Sequence, residues 1–422
     1  MTDLHDRFRI AQGIPAPDLW VDIEARLTVS DSADERRLRA VGSPTNRHGS
    51  LHKWLTIAAA FAIAVPAIAL SVRAFREEEP SISQDHRLSE HVLSVTEYPV
   101  PTIYGPGEVT TGSDGGAWFT LPLDDSIGRI TSTGSVFTFE LPGSHLSPNA
   151  ITPGSGGSAW FTEEEGGGNG CPGGFEAPRC TRNASVGHID ALGAITEYPL
   201  PSGMYPSGIA MGADGNLWVT GVAGPQATGW IGRMTPSGTT TSFPLRLHNQ
   251  PIDIVAGPDG ALWFTEDGIW NGGTGAIGRL TTSGSLTEFV LPTSEDHRSG
   301  AGDIAAGPDG NLWFTWVTQG AGQTAASIGR ITPSGTITRF PVSGDHGWPP
   351  GGIAAGRDGS LWFTLGSANV IGRITLTGTV TLFRLPTENS FPSDIAPGSH
   401  GIMWFTDSGS IGRFNVRDTS DA

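Results

Sequence analysis

"DIVAGPDGALWFTEDGIWNGGTGAIGRLTTSGSLTEFVLP", residues 253–292, holds four short apolar runs separated by turn residues. "DIVAG" (253–257), "ALWFT" (261–265), "IGRLT" (277–281) and "LTEFVLP" (286–292) have the length and composition of strands. Asp259-Gly260 is a hairpin signal, because Asp and Gly tolerate the positive φ that a turn twisted with its strands requires. "TSG" (282–284) is a similarly tight connection. The stretch is expected to form four antiparallel strands, labelled a to d in chain order.

The pattern recurs with its tryptophan at Trp118, Trp160, Trp218, Trp263, Trp313, Trp362 and Trp404, in steps of 42, 58, 45, 50, 49 and 42 residues. Each copy continues with "IGR", or "VGH" at 186–188 in the second. Seven copies with a period above forty imply a closed or solenoidal array. The seventh copy stops after "IGRFNV" (411–416) without a strand d, and a matching "VTEYPVP" (95–101) precedes the first. An N-terminal strand that completes the last blade leaves no open sheet edge. The expected fold is all-β: a seven-bladed β-propeller over 92–416, with four-stranded blades and the last one closed by the N-terminal strand.

The formal charge of −17 argues against nucleic acid as a partner, since phosphate binding needs a basic face. "WLTIAAAFAIAVPAIALSV" (54–72) has no charge over 19 residues. As a helix that is about 28 Å, enough to span a bilayer. Arg36, Arg37, Arg39, Arg47 and Lys53 precede it, and Arg73, Arg76 and then Glu77, Glu78 and Glu79 follow. A cleaved signal peptide, with "AIA" (67–69) at its cleavage site, is the rival reading, but about fifty residues before the apolar run are too many for it. The positive-inside rule then gives a single-pass anchor in a bacterial cell membrane, with 1–53 cytoplasmic and mostly flexible, 73–91 a tether, and the propeller extracytoplasmic. A cytoplasmic partner for 1–53 follows from that topology, and 417–422 reads as a tail. Cys171 and Cys180 are the only cysteines, and in an oxidising compartment they are expected to form a disulfide.

The a–b and c–d turns share one face and are short, whereas the b–c and d–a loops share the other and vary in length. Variable loops on a repeated scaffold are where binding specificity sits. Tyr104, Tyr205, Trp348 and Phe391 fall in d–a loops, and Trp230, Trp270 and Trp316 in or beside b–c loops. His145, His248, His297 and His346 stand six or seven residues before strand a of their blades. Such aromatics, with Glu163 and Glu266 at the ends of strands b, suit a glycan, a peptide or another small-molecule ligand. Glu108, Asp253, Asp303 and Asp394 each stand just before the first apolar residue of strand a. They either ring the central channel and attract a cation or cap backbone amides. The repeated arginine of "IGR" is expected to be structural.

The run "GPDGALWFTEDG…IGRLTTSG…LTEFVLP" resembles the streptogramin B (virginiamycin B) lyase family, and the resemblance spans roughly 92–416. It implies a seven-bladed propeller and an enzyme that linearises a cyclic depsipeptide by Mg²⁺-dependent elimination across its ester. Such chemistry needs a base beside the carbonyl and a Lewis acid for the developing enolate. The family base is the histidine of "E-P-H-x-I"; here that position reads Gly107, Asn149, Ser207, Ile252, Gly302, Gly351 and Ser393. In the last d–a segment Phe391 stands at the family's glutamate position. The "WF-x-E" carboxylate is kept as Glu163, Glu266 and Asp407. By resemblance Glu266, Asp407 and Asp394 are candidate metal ligands, with His346 and His248 the nearest substitutes for the base. Three functions follow, with the first preferred: ligand binding without catalysis, C–O lyase activity with a relocated base, and a protein-interaction or signalling scaffold.

Overall fold

The computed structural model describes residues 92–143, 146–165, 184–224, 227–245, 249–269, 273–293, 297–320, 323–342 and 350–419. The expected transmembrane helix, cytoplasmic segment and tether lie outside them, as do Cys171 and Cys180. Among the described residues no helix is long and apolar enough to cross a membrane.

The strands form seven antiparallel four-stranded units in the order a–b–c–d. Blade 4 runs Gln250–Ala256, Leu262–Asp267, Ala276–Leu280 and Leu286–Val290, and joins blade 5 through the single pair Asp267↔Gly300. Strand a of each blade touches strand a of the next, and Val109–Thr111 of blade 1 meets Ile395–Pro397 of blade 7, which closes the ring. Blade 7 takes its outer strand from the N-terminal side: Val95–Pro99 pairs with Ser410–Asn415, from Val95↔Phe414 to Pro99↔Ser410. The architecture is a seven-bladed β-propeller with the closure expected from the sequence.

Each letter of the repeat has a physical task. Trp263 is fully buried, and its indole N–H donates to Asp259 of the a–b turn at 3.0 Å. Trp218, Trp313 and Trp362 do the same to Asp214, Asp309 and Asp358. The arginine of "IGR" lies over the tryptophan of its own blade; Arg279 also pairs with Asp259 at 2.7 Å. Others reach the next blade's c–d turn, as Arg330 does to the Leu376 carbonyl at 3.0 Å. The glycine of "IGR" carries the phenylalanine ring of "WF": a Cβ at Gly278 would sit inside the Phe264 ring. The threonine links blades. Thr265 Oγ1 accepts from the Asp253 amide at 3.1 Å and donates to the Gly302 carbonyl of blade 5 at 2.5 Å. A hydroxyl serves here because it donates and accepts at once.

Candidate functional site

The four carboxylates before strand a turn out to be blade-to-blade caps. Asp394 accepts from the Val109 amide at 2.7 Å, Glu108 from Ile151 at 3.1 Å, Asp253 from Ile304 at 3.1 Å, and Asp303 from Ile353 at 2.5 Å. Each joins its blade to the start of strand a in the next. At the equivalent position of blade 6, Gly352 leaves the space that the Asp394 carboxylate fills. Burial is the main force raising all four above the usual carboxylate range, and Asp394 is pushed up to about 7. Their mutual repulsion adds to this: Asp394 and Asp253 both act on Glu108, and Asp253 acts on Asp303.

On the loop-rich face, the expected residues meet different fates. Trp316 is a core residue rather than a ligand contact: strand b of blade 5 runs on to Gly320, so its indole is buried against Phe314 with Arg339 over the ring. Trp230 is likewise buried, within strand c of blade 3. Tyr205 lies in strand a of blade 3, Met204–Met211, opposite Val222, and not in a loop. His145, His248, His346, Trp270 and Trp348 lie outside the described residues. Tyr104 and Phe391 are 71% and 51% exposed, and Ile103 is 72% exposed. Ile103 and Tyr104 stand at the junction of blades 7 and 1, whereas Phe391 lies beside Gly366 at the junction of blades 6 and 7. Thr102 and the Ile103 amide hydrogen-bond to Asp124 of blade 1, while Gly105 is packed on the backbone of Asp407 and Ser408. Phe391 adopts φ 52°, an uncommon conformation for a bulky residue.

The positions that the family resemblance singles out are Asp407 and Ser393. Asp407 is buried and its carboxylate is fully engaged: Oδ1 accepts from the Gly409 and Ser410 amides at 3.0 and 2.7 Å, and Oδ2 from the Ser390 and Ser410 hydroxyls at 3.0 and 2.8 Å. At the base position Ser393 Oγ lies 2.7 Å from Thr406 Oγ1. An exposed phenylalanine, a serine and an occupied aspartate do not fit a Mg²⁺ ion, which takes oxygen ligands in octahedral geometry. Among the described residues no three His, Cys, Asp or Glu side chains are grouped to hold a metal.

Glu163 and Glu266 have another character. They are 1% and 0% exposed; among the described residues nothing hydrogen-bonds to the Glu163 carboxyl, and Glu266 has only Asn249 and Glu288 beside it. Burial, reinforced by Glu197, pushes Glu163 up to about 8. Burial, reinforced by Glu288 and partly offset by the nearby Asn249 amide, pushes Glu266 up to about 8. Both are therefore protonated at neutral pH. The strand d partners, Glu197 and Glu288, escaped the sequence reading. A signal existed: the residue after "WFT" and the third residue of strand d change together, as Trp316 with Arg339 and Leu365 with Leu382.

Fold and repeat together define a seven-bladed propeller of the virginiamycin B lyase type. The model of the Virginiamycin B lyase family matches residues 83–170, 179–320 and 225–421, and the chain belongs to that family. A streptogramin B lyase structure is similar at 31% identity, over 76% of this chain and 97% of that one, with a TM-score of 0.62. A catalytically inactive histidine-to-alanine variant of virginiamycin B lyase from Staphylococcus aureus, crystallised with quinupristin, is similar at 30% identity over 77% and 99%, also with a TM-score of 0.62. YCF48 bound to D1 peptide, at 14% identity over 77% and 99% and a TM-score of 0.55, shares the fold. A search of curated proteins finds no match to this chain.

Proposed function

We propose that this chain is a membrane-anchored, extracytoplasmic ligand-binding propeller that has left lyase chemistry behind. Its ligand is a glycan, peptide or cell-wall fragment, bound on the loop-rich face, and residues 54–72 form the anchor. The observation that carries this reading is Ser393: the family's base position holds a hydroxyl tied to Thr406. A hydroxyl so placed has no means of taking a proton at neutral pH. Loss of the histidine also makes the Staphylococcus aureus enzyme inactive, yet that variant was crystallised with quinupristin. The exposed Ile103, Tyr104 and Phe391 favour an apolar or aromatic-bearing peptide over a polar glycan.

The test is to incubate the full-length chain with a type B streptogramin and Mg²⁺ and follow the product by mass spectrometry, with a parallel calorimetric titration. Saturable binding of an intact antibiotic or aromatic peptide is expected. A linear product, abolished in Glu266→Ala, would overturn the proposal. A C-terminal reporter that is active only in the cytoplasm would refute the topology.

A further inference from the structure

The opposite face carries a feature that the repeat does not require. A cavity of about 350 Å³ opens between the a–b turns of blades 6 and 7 and the C-terminal segment, lined by Arg357, Asp358, Ser399, His400 and Arg417 among others. Three of these depart from the repeat or follow it. The second residue of the a–b turn reads Ser113, Ser155, Ala213, Pro258, Pro308, Arg357 and Ser399, so blade 6 alone has a charge there. The third reads Asp114, Gly156, Asp214, Asp259, Asp309, Asp358 and His400, so blade 7 replaces the repeat's carboxylate with an imidazole. Arg417 comes from the short turn after the last strand, Val416–Thr419, and its Nε would stand 4.0 Å from a Cβ on Gly401.

The charge balance of this cavity is the reverse of the protein's. Residues 92–422 carry 29 acidic and 14 basic side chains, yet two arginines and a histidine converge here. Asp358, the one carboxylate in the lining, is already neutralised: it pairs with Arg373 at 3.0 Å and accepts from the Trp362 indole at 3.2 Å. Among the described residues neither Arg357 nor Arg417 has an ion-pair partner within the 4 Å range that Arg373 and Asp358 satisfy. The backbone supplies an independent observation. His400 sits at φ 58°, in a turn where blade 2 uses Gly156 at φ 65°. A left-handed conformation is unfavourable for a residue that carries a Cβ. Strain retained at one copy of a repeat, when the sister copy avoids it, marks a position held for something other than folding.

We propose that this cavity is a binding site for a phosphate-type oxyanion, either a phosphate ester or the head group of an anionic phospholipid. Arginine guanidinium groups present planar forks of N–H donors matched to phosphate oxygens, and they keep their charge at any physiological pH. Arg357, Arg417 and His400 approach from three separate segments, which suits a tetrahedral anion, and Ser399 adds a hydroxyl. The cavity is larger than one phosphate needs, so it has room for the group that carries it. The site is separate from the loop-rich face and would act alongside whatever binds there.

The experiment is calorimetric titration of the full-length protein with inorganic phosphate, and with a water-soluble short-chain phosphatidylglycerol against the matching phosphatidylcholine, so that insertion of residues 54–72 does not mask the site. Saturable binding of phosphate is expected, weakened at least tenfold in the double variant Arg357→Gln/Arg417→Gln and undetectable in His400→Asp, which restores the repeat's carboxylate. His400→Gly, which relieves the strain, should raise the melting temperature while still weakening binding. It keeps the test valid should another variant misfold. Binding of the short-chain phosphatidylglycerol that the double variant loses, with or without binding of free phosphate, identifies a lipid as the source. Absence of saturable binding to both probes, or binding unchanged in the double variant, would overturn the proposal.

Discussion

The carboxylate of Asp394 accepts the amide hydrogen of Val109 at 2.7 Å, joining blade 7 to blade 1 across 285 positions of sequence. It is one of four such caps, and the only one that spans the closure of the ring. Removing the acceptor would leave a buried N–H unsatisfied at the junction. Asp394→Ala should therefore lose about 1–3 kcal/mol in urea unfolding. Asp394→Asn keeps an acceptor oxygen and removes a carboxyl that burial raises to about 7, so it should be close to neutral at pH 8. No loss in Asp394→Ala would show that the cap is dispensable.

The protonated glutamates give a pH dependence of definite sign. Glu163 and Glu266 are raised by burial from 4.5 to about 8. Between those values the folded state holds protons that the unfolded chain has released. Their contribution is thus complete below about pH 4.5 and is lost as pH rises through about 8. The slope amounts to at most roughly 1.4 kcal/mol per pH unit per group. Urea midpoints should fall between pH 6 and 9, and Glu163→Gln/Glu266→Gln should flatten that fall and be the more stable protein at pH 9. A midpoint that climbs toward pH 9 would contradict the burial of neutral acids.

Much of the fold was legible in the sequence because its physics is local and repeated. Asp-Gly turns, the alternation around "LWFT" and the orphan strand at 95–101 each record one step of the topology. The site was less legible, for two reasons. Loop lengths were read as if strands ended at "WFT", but in blade 5 strand b continues through Trp316 to Gly320 and takes the tryptophan into the core. The second reason is that a carboxyl's partner lies across two strands. Glu163 pairs with Ser185 and Glu197 with Gly187, so the two acids act on each other only across strand c. For Asp394 and its neighbours the sequence left open a cap role and a ring around the channel; the amide bonds show the caps, and repulsion among carboxylates of blades 1, 4, 5 and 7 shows that they also face one another.

At the rim, strain and exposure meet in Phe391, whose ring is half exposed at φ 52°. Phe391→Gly should stabilise the protein by up to about 1 kcal/mol through relief of the left-handed backbone. If the aromatic rim is the ligand platform, the same variant and Tyr104→Ala should each weaken binding of an aromatic peptide about tenfold, as truncation of an interface aromatic does. Titrations with the peptide, alongside thermal melts, separate the two effects. Unchanged affinity in both variants would move the ligand away from this rim.

Two glycines in one blade should respond to alanine for different reasons. At Gly278 the added methyl would collide with the Phe264 ring, and both residues are held by neighbouring strands, so relief requires the sheet to shift. Overpacking of this kind costs typically 1–3 kcal/mol, occasionally more, and it disturbs the contact between blades. At Gly260 no atom lies within 4 Å of the methyl position, and the only obstacle is φ 75°. Backbone strain alone should then cost about 1 kcal/mol. Gly278→Ala is thus expected to lower the urea midpoint more than Gly260→Ala and to alter the near-ultraviolet circular dichroism of the buried tryptophans. Gly260→Ala should leave that spectrum unchanged. Identical spectra and midpoints for the two would mean that Phe264 can move aside, and that the glycine of "IGR" is not there to seat the ring.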